Sequence, residues 1–187
     1  MASVRDVAVV IGSLRRESLN RRMAAALTGM APAPLKLREV PIGDLPMYNS
    51  DLDDAPPQPW TAFRNAIRSA DAVLFVTPEY NRSTPGVLKN AIDVGSRPYG
   101  SSAWSGKPVG VVSVSPGQYG GFGANHSLRQ TFVFLDMHPL QQPETYIAKA
   151  GKQLFADDGS IAVPETRELM TKFLDAFARW IDRVSAR

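Results

Sequence analysis

Three polar segments, each following an apolar run, hold most of the residues in this chain that could do chemistry. The first is Gly12-Ser13-Leu14-Arg15-Arg16-Glu17-Ser18-Leu19-Asn20. Ser13 and Ser18 supply hydroxyls, and Ser18 falls where a helix N-cap belongs. The unpaired N–H groups and positive dipole of a helix start make a ready anion site, and Arg15 adds a charge suited to bidentate contact with phosphate. Plain N-capping with solvated arginines accounts for the same residues. The second segment, 77–90, carries Pro78, Glu79, Tyr80 and Asn81, then Pro85 and Gly86. Its prolines and glycine fix a backbone that could present main-chain groups to the edge of a flat heterocycle, or simply turn the chain. The third is Ser115-Pro116-Gly117-Gln118-Tyr119-Gly120-Gly121-Phe122-Gly123. Its glycines would let backbone amides approach a ligand closely, although a flexible connector has the same composition.

Other chemistries find little support. Gly106-Lys107 is followed by Pro108, so it is not a Walker loop, and His126 stands where a dinucleotide fingerprint starting at Gly121 needs its third glycine. The chain has no cysteine and only two histidines, His126 and His138, with no G-x-S-x-G or H-E-x-x-H run. A hydrolase built on Ser13 therefore lacks a base, no metal site is expected, and both histidines read as structural. Net charge is +3 with the basic residues scattered, which argues against nucleic acid. No apolar run approaches the ~20 residues of a membrane span. The N-terminus leads into a strand-like run without a secretory cleavage pattern, and together with the missing cysteines this points to the cytoplasm.

The elements that would position the three segments alternate. β-Branched or apolar runs at 7–11, 35–40, 71–77 and 109–114 read as buried strands, and 139–147 holds a short fifth. Helical spacing links Leu19, Met23, Leu27 and Met30; then Trp60, Phe63 and Ile67; then Val87, Leu88, Ala91 and Ile92, with Gly95 as the C-terminal cap. Leu128, Phe132 and Leu135 mark a fourth helix, and Pro164 opens a fifth with Leu169, Phe173, Phe177, Ile181 and Val184 on one face. Asp157-Asp158-Gly159 looks like a turn tip. This order predicts a single α/β domain over 1–187, a flavodoxin-like three-layer sandwich with a five-stranded parallel sheet of order 2-1-3-4-5. Ligands of such sheets bind beyond the carboxyl ends of the strands, where the three segments fall.

Together the segments resemble the NADPH-dependent FMN reductase family, which includes chromate, quinone and azo-compound reductases. The resemblance rests on GSLRxxSxN at 12–20, PEYNxSxPGxLKNAID at 78–93 and GKPV…S…GG at 106–121, and extends over about residues 5–147. It implies that Ser13, Arg15, Ser18, Leu19 and Asn20 hold the FMN phosphate. Pro78, Glu79, Tyr80 and Asn81 would wrap the isoalloxazine and ribityl groups, and Ser115, Gly117, Gly120 and Gly121 would face the other ring edge. Electrons would pass from NADPH or NADH through bound FMN to a small acceptor such as a quinone, azo compound, chromate-like oxyanion or free flavin. No side chain need be catalytic, because the flavin carries the chemistry. Backbone N–H groups over 117–121 are expected to stabilise negative charge as an oxyanion hole does. The resemblance also implies a homodimer or homotetramer. Gln118-Tyr119 departs from the family pattern, and Arg16, Arg82 and Arg97 are candidate partners for a nicotinamide 2′-phosphate. The alternatives are a flavodoxin-type electron carrier, which a basic chain with Arg15 in the phosphate loop disfavours, and a scaffold that binds no FMN.

Overall fold

A computed structural model describes residues 4–186. The strands β1 (Arg5–Ile11), β2 (Leu35–Glu39), β3 (Ala72–Thr77) and β4 (Pro108–Val114) pair in parallel, with two further pieces, β5 (His138–Pro139) and β6 (Tyr146–Ile147), both beside β4. The order is β2-β1-β3-β4-β5, the flavodoxin-like arrangement expected from the sequence. Between the strands run the helices α1 (Leu19–Met30), α2 (Gln58–Arg68), α3 (Gly86–Gly95) and α4 (Phe122–Phe134), and α5 (Pro164–Ser185) closes the chain.

Each central strand is buried on both faces because its side chains alternate between two cores. Val7, Val9 and Ile11 of β1 pack with Met23 and Leu27 of α1 and Phe173 and Phe177 of α5. Ala8 and Val10 face the other way, among Trp60 and Phe63 of α2, Leu88 and Ile92 of α3, and Leu128 and Phe132 of α4. Helices thus cover both faces of the sheet, and every loop leaving a strand's carboxyl end emerges on one edge of the sandwich.

Two details differ from the sequence expectation. The fifth strand is split: His138 and Pro139 pair with Pro108 and Val109, whereas Tyr146 and Ile147 pair with Ser113 and Val114. In the gap the Thr145 hydroxyl donates to the Val111 carbonyl, so a side chain replaces the missing ladder bond. Gly95 is the last residue of α3 rather than a cap beyond it. A Cβ there would lie 2.5 Å from the Trp104 indole, whose Nε1 donates to the Ile92 carbonyl at 3.0 Å. Gly95 is glycine because an aromatic ring lies against its backbone. The turn at 157–159 forms as expected, flanked by a Phe155–Ile161 bridge, with Gly159 at φ +83.

Candidate active site

The loops after β1, β3 and β4 meet at the carboxyl end of the sheet around a cleft of about 230 Å³. Ser13, Arg15, Ser18, Leu19 and Asn20 line it from the first loop, Pro78, Glu79 and Tyr80 from the second, and Ser115 from the third. Val114 and Pro116 line it too. Sequence reasoning missed both, although they flank Ser115. Asn81, Gly117, Gly120 and Gly121, also expected here, are not among the lining residues.

The first loop ends in the predicted cap. Ser18 is extended, at φ −75 and ψ 124, and its Oγ accepts from the Arg21 N–H at 3.3 Å. The Arg22 amide then begins the helical ladder by donating to the Ser18 carbonyl. The amides of Leu19 and Asn20, in the first turn, are left without an intrahelical acceptor. Ser13 is buried, and its Oγ accepts from the Arg15 N–H at 3.4 Å. Asn20 is only 3% exposed; its Nδ2 donates to the Val114 carbonyl at 3.2 Å, tying α1 to the end of β4. The buried Asn20 Oδ1 has no partner among the described residues. A buried acceptor left unpaired costs about 1–3 kcal/mol, so its place in the cleft wall fits a ligand that donates hydrogen bonds.

The second loop is a tight hairpin. Tyr80 and Ser83 exchange two backbone bonds of 3.0 Å, and Asn81 and Arg82 between them sit at φ 51 and 64, the pattern of a type I′ turn. Glu79 serves the protein with its carboxylate. Its Oε2 accepts from the amides of Gly123 at 2.6 Å and Ala124 at 3.2 Å, and its Oε1 pairs with Arg82 at 3.0 Å. The side chain is about 10% exposed. It thereby caps α4, whose own N-cap, Gly121, has no side chain to offer. A capping role suits Glu79 from its place in the turn, but the Gly123 amide it accepts from lies 44 residues further on and only the packed structure identifies it.

In the third loop Gly120 (φ +59) and Gly121 (φ +80) are left-handed and packed inward. A Cβ on Gly120 would lie 2.6 Å from the Tyr146 backbone, and one on Gly121 would lie 2.8 Å from the Ser113 side chain. Ser113 Oγ donates to the Gly120 carbonyl at 2.7 Å, and Ser115 Oγ accepts from the Gly117 amide at 3.1 Å. That amide is therefore engaged within the loop. The exposed Tyr119, the departure noted in the sequence, lies under the Arg82 guanidinium at 4.8 Å and joins the third loop to the second.

The two histidines are accounted for by packing. The His126 ring leans on Phe122, tilted by 31° with centroids 4.1 Å apart, and its Nε2 meets the Tyr146 hydroxyl at 3.0 Å. Burial, helped by the nearby Glu144 carboxylate, pushes that hydroxyl up to about 12. His138 offers its backbone carbonyl to the Trp180 indole at 2.8 Å.

Strand order and cleft define a flavodoxin-like protein with a polar pocket at the switch point of its sheet, and comparison with known proteins gives the family. The model of the NADPH-dependent FMN reductase family matches residues 5–152. A quinone reductase of Pseudomonas putida is 60% identical over 182 residues, covering 97% of each chain. A 2-hydroxy-1,4-benzoquinone reductase of a Burkholderia species is 44% identical, covering 94% of this chain and 95% of that one. Among solved structures, the flavoenzyme NAD(P)H:(acceptor) oxidoreductase FerB of Paracoccus denitrificans superposes with a TM-score of 0.91 at 40% identity, covering 96% of this chain and 98% of that one. This chain belongs to the NADPH-dependent FMN reductase family and is an NAD(P)H-linked oxidoreductase with FMN as its cofactor. The residues present fit that group: a helix N-terminus beside Arg15 suits a phosphate, and the unpaired Asn20 Oδ1 suits a hydroxyl.

Proposed function

We propose that the three-loop cleft holds FMN and that the enzyme reduces quinones with NADPH or NADH. The observation that carries this reading is the convergence of Ser13, Arg15, Ser18 and Asn20 with Pro78–Tyr80 and Ser115 on one cleft at the switch point of the sheet. In this reading the Leu19 and Asn20 amides, the two serine hydroxyls and Arg15 bind the phosphate. Asn20 Oδ1 takes a ribityl hydroxyl, and the backbones of 78–80 and 114–116 border the ring. When bound, FMN accepts hydride from the nicotinamide and delivers electrons to the acceptor. The protein's part is to hold, orient and shield. The Glu79 carboxylate sets the second loop against α4, so both walls of the ring site keep their spacing.

The quinone assignment is supported by the names of the 60% and 44% identical relatives. Azo compounds, chromate-like oxyanions and free flavin are the remaining acceptors to be compared. We read the whole chain as one reductase domain, because each core joins early and late elements, β1 with α5 in one and β1 with α4 in the other. Self-association into a dimer or tetramer is supported by Val133 (82% exposed) and Phe134 (76%) at the end of α4 and by Tyr99 (85%). Among the described residues no helix is long and apolar enough to cross a membrane; a cytoplasmic site of action is the accompanying proposal.

The test is direct. Purified protein, stripped of flavin and incubated with FMN, should turn yellow and then oxidise NADPH steadily when a benzoquinone is supplied. A protein that stays colourless in excess FMN sinks the reading. Sedimentation at micromolar concentration checks the association, and a monomer would remove that part.

A further inference from the structure

Beside the flavin cleft lies a second hollow of about 490 Å³, within the roughly 300–1,000 Å³ of small-molecule sites. The two are neighbours. Both are lined by Arg15, Leu19 and Pro116, so the hollow adjoins the part of the flavin cleft assigned to the phosphate. To Arg15 the second hollow adds Arg16, Arg22 and Lys152, against one acid, Glu17.

None of these four cations forms a salt bridge among the described residues, whereas neighbouring basic side chains do. Arg21, one residue from Arg22, is paired with Glu39 at 2.6 Å. Arg22 is instead held by stacking, its guanidinium 4.5 Å from the centre of the buried Phe155 ring. Such packing immobilises the side chain without neutralising it. Four uncompensated cations around one concavity repel one another and concentrate anions, and guanidinium forks suit phosphate in particular.

Of the three arginines that could meet a nicotinamide 2′-phosphate, only Arg16 lines this hollow. Arg82 is paired with Glu79, and the Arg97 guanidinium lies over the Tyr48 and Tyr99 rings, at 6.0 and 5.9 Å. Resting on the FMN assignment above, we infer that this basic hollow is a second nucleotide subsite that binds an adenosine phosphate carried on a dinucleotide. The adenylate arrives in one of two ways: joined to the flavin phosphate, as in FAD, or on the nicotinamide donor, where the 2′-phosphate of NADPH is the recognised group.

The double variant Arg16→Ala/Lys152→Ala separates these sources, since neither residue lines the flavin cleft. Flavin-free wild-type and variant proteins are titrated with FMN and with FAD by quenching of flavin fluorescence, and the FMN-loaded proteins are assayed with NADPH and NADH. Selective weakening of FAD by about tenfold, with FMN within about twofold, assigns the hollow to the flavin adenylate. A comparable rise in KM for NADPH alone assigns it to the nicotinamide donor. If the variant keeps its melting temperature and both ratios stay at wild-type values, the inference is overturned while the FMN reading stands. If wild-type protein binds no FMN at all, both fall together.

Discussion

The two ends of the sheet are built to opposite rules. At the amino end of the strands the polar groups close on one another. Arg38 grips Asp6 with contacts of 2.7 and 3.2 Å, Asp71 accepts from the Asp6 amide at 2.8 Å, and the Lys107 ammonium caps α2 through the Ala70 carbonyl at 2.6 Å. At the carboxyl end, Asn20 Oδ1 is buried without a partner, the first amides of α1 have no intrahelical acceptor, and Arg15, Arg16, Arg22 and Lys152 make no ion pair among the described residues. The same fold supplies both ends. Satisfied polar groups at one end spend their hydrogen bonds on stability, and unsatisfied ones at the other keep theirs for a ligand.

Substitutions should divide along this line. The largest effect is expected from Arg15→Ala, which removes a charge-assisted contact worth about 1.5–3 kcal/mol and should weaken FMN about 10- to 100-fold. The melting temperature of the flavin-free protein should not move; a large drop would place Arg15 among the structural residues and blur the comparison. Glu79→Gln crosses the line deliberately, because Glu79 lines the cleft yet spends its carboxylate on α4 and Arg82. Losing that charge at a helix start should cost about 1–2 kcal/mol in urea unfolding and also loosen FMN several-fold. A change in FMN affinity without any change in stability would contradict the capping role.

Smaller effects should follow at the other end. Arg38→Ala breaks a half-exposed pair and should cost at most about 1 kcal/mol, less at high salt, with FMN affinity untouched. Equal losses in the flavin titration would break the contrast between the two ends. The smallest effect concerns Tyr146, the first residue of β6, whose hydroxyl meets His126. Its hydroxyl is raised from the ordinary 10.0 to about 12, chiefly by burial and then by Glu144. A raised tyrosine favours the fold while the hydroxyl is protonated in both states, that is below pH 10. That contribution drains away as pH climbs from 10 to about 12. Tyr146→Phe should therefore flatten the fall in stability across this window, read from melting temperatures at stepped pH. Parallel curves for the two proteins would show that the hydroxyl is not linked to folding.

Much of the frame was legible because local rules suffice for it. Continuous apolar runs marked β1, β3 and β4, helical spacing marked all five helices, and Ser18 announced its own cap. The fifth strand was less legible, since its two pieces total four residues and a side chain, Thr145, fills the break. Gly95 was misread because its reason, the Trp104 ring, comes from further along the chain. Within the site, the rule that ligands bind beyond the strands' carboxyl ends singled out the three loops and the family resemblance implied nine of the lining residues, while the inward packing of Gly120 and Gly121 was not visible.

The sequence alone determined the strand–helix alternation, the strand order and the three loops, since periodicity and chain connectivity leave few ways to wind such elements. Tertiary structure decided which polar groups would be consumed and which left over. Glu79 is used up because α4's first amides come within 3.2 Å of it, and Asn20 Oδ1 stays unpaired because no donor among the described residues does. Hydrogen bonding is a matter of distances below about 3.5 Å, and those are set only when segments far apart in the chain pack together.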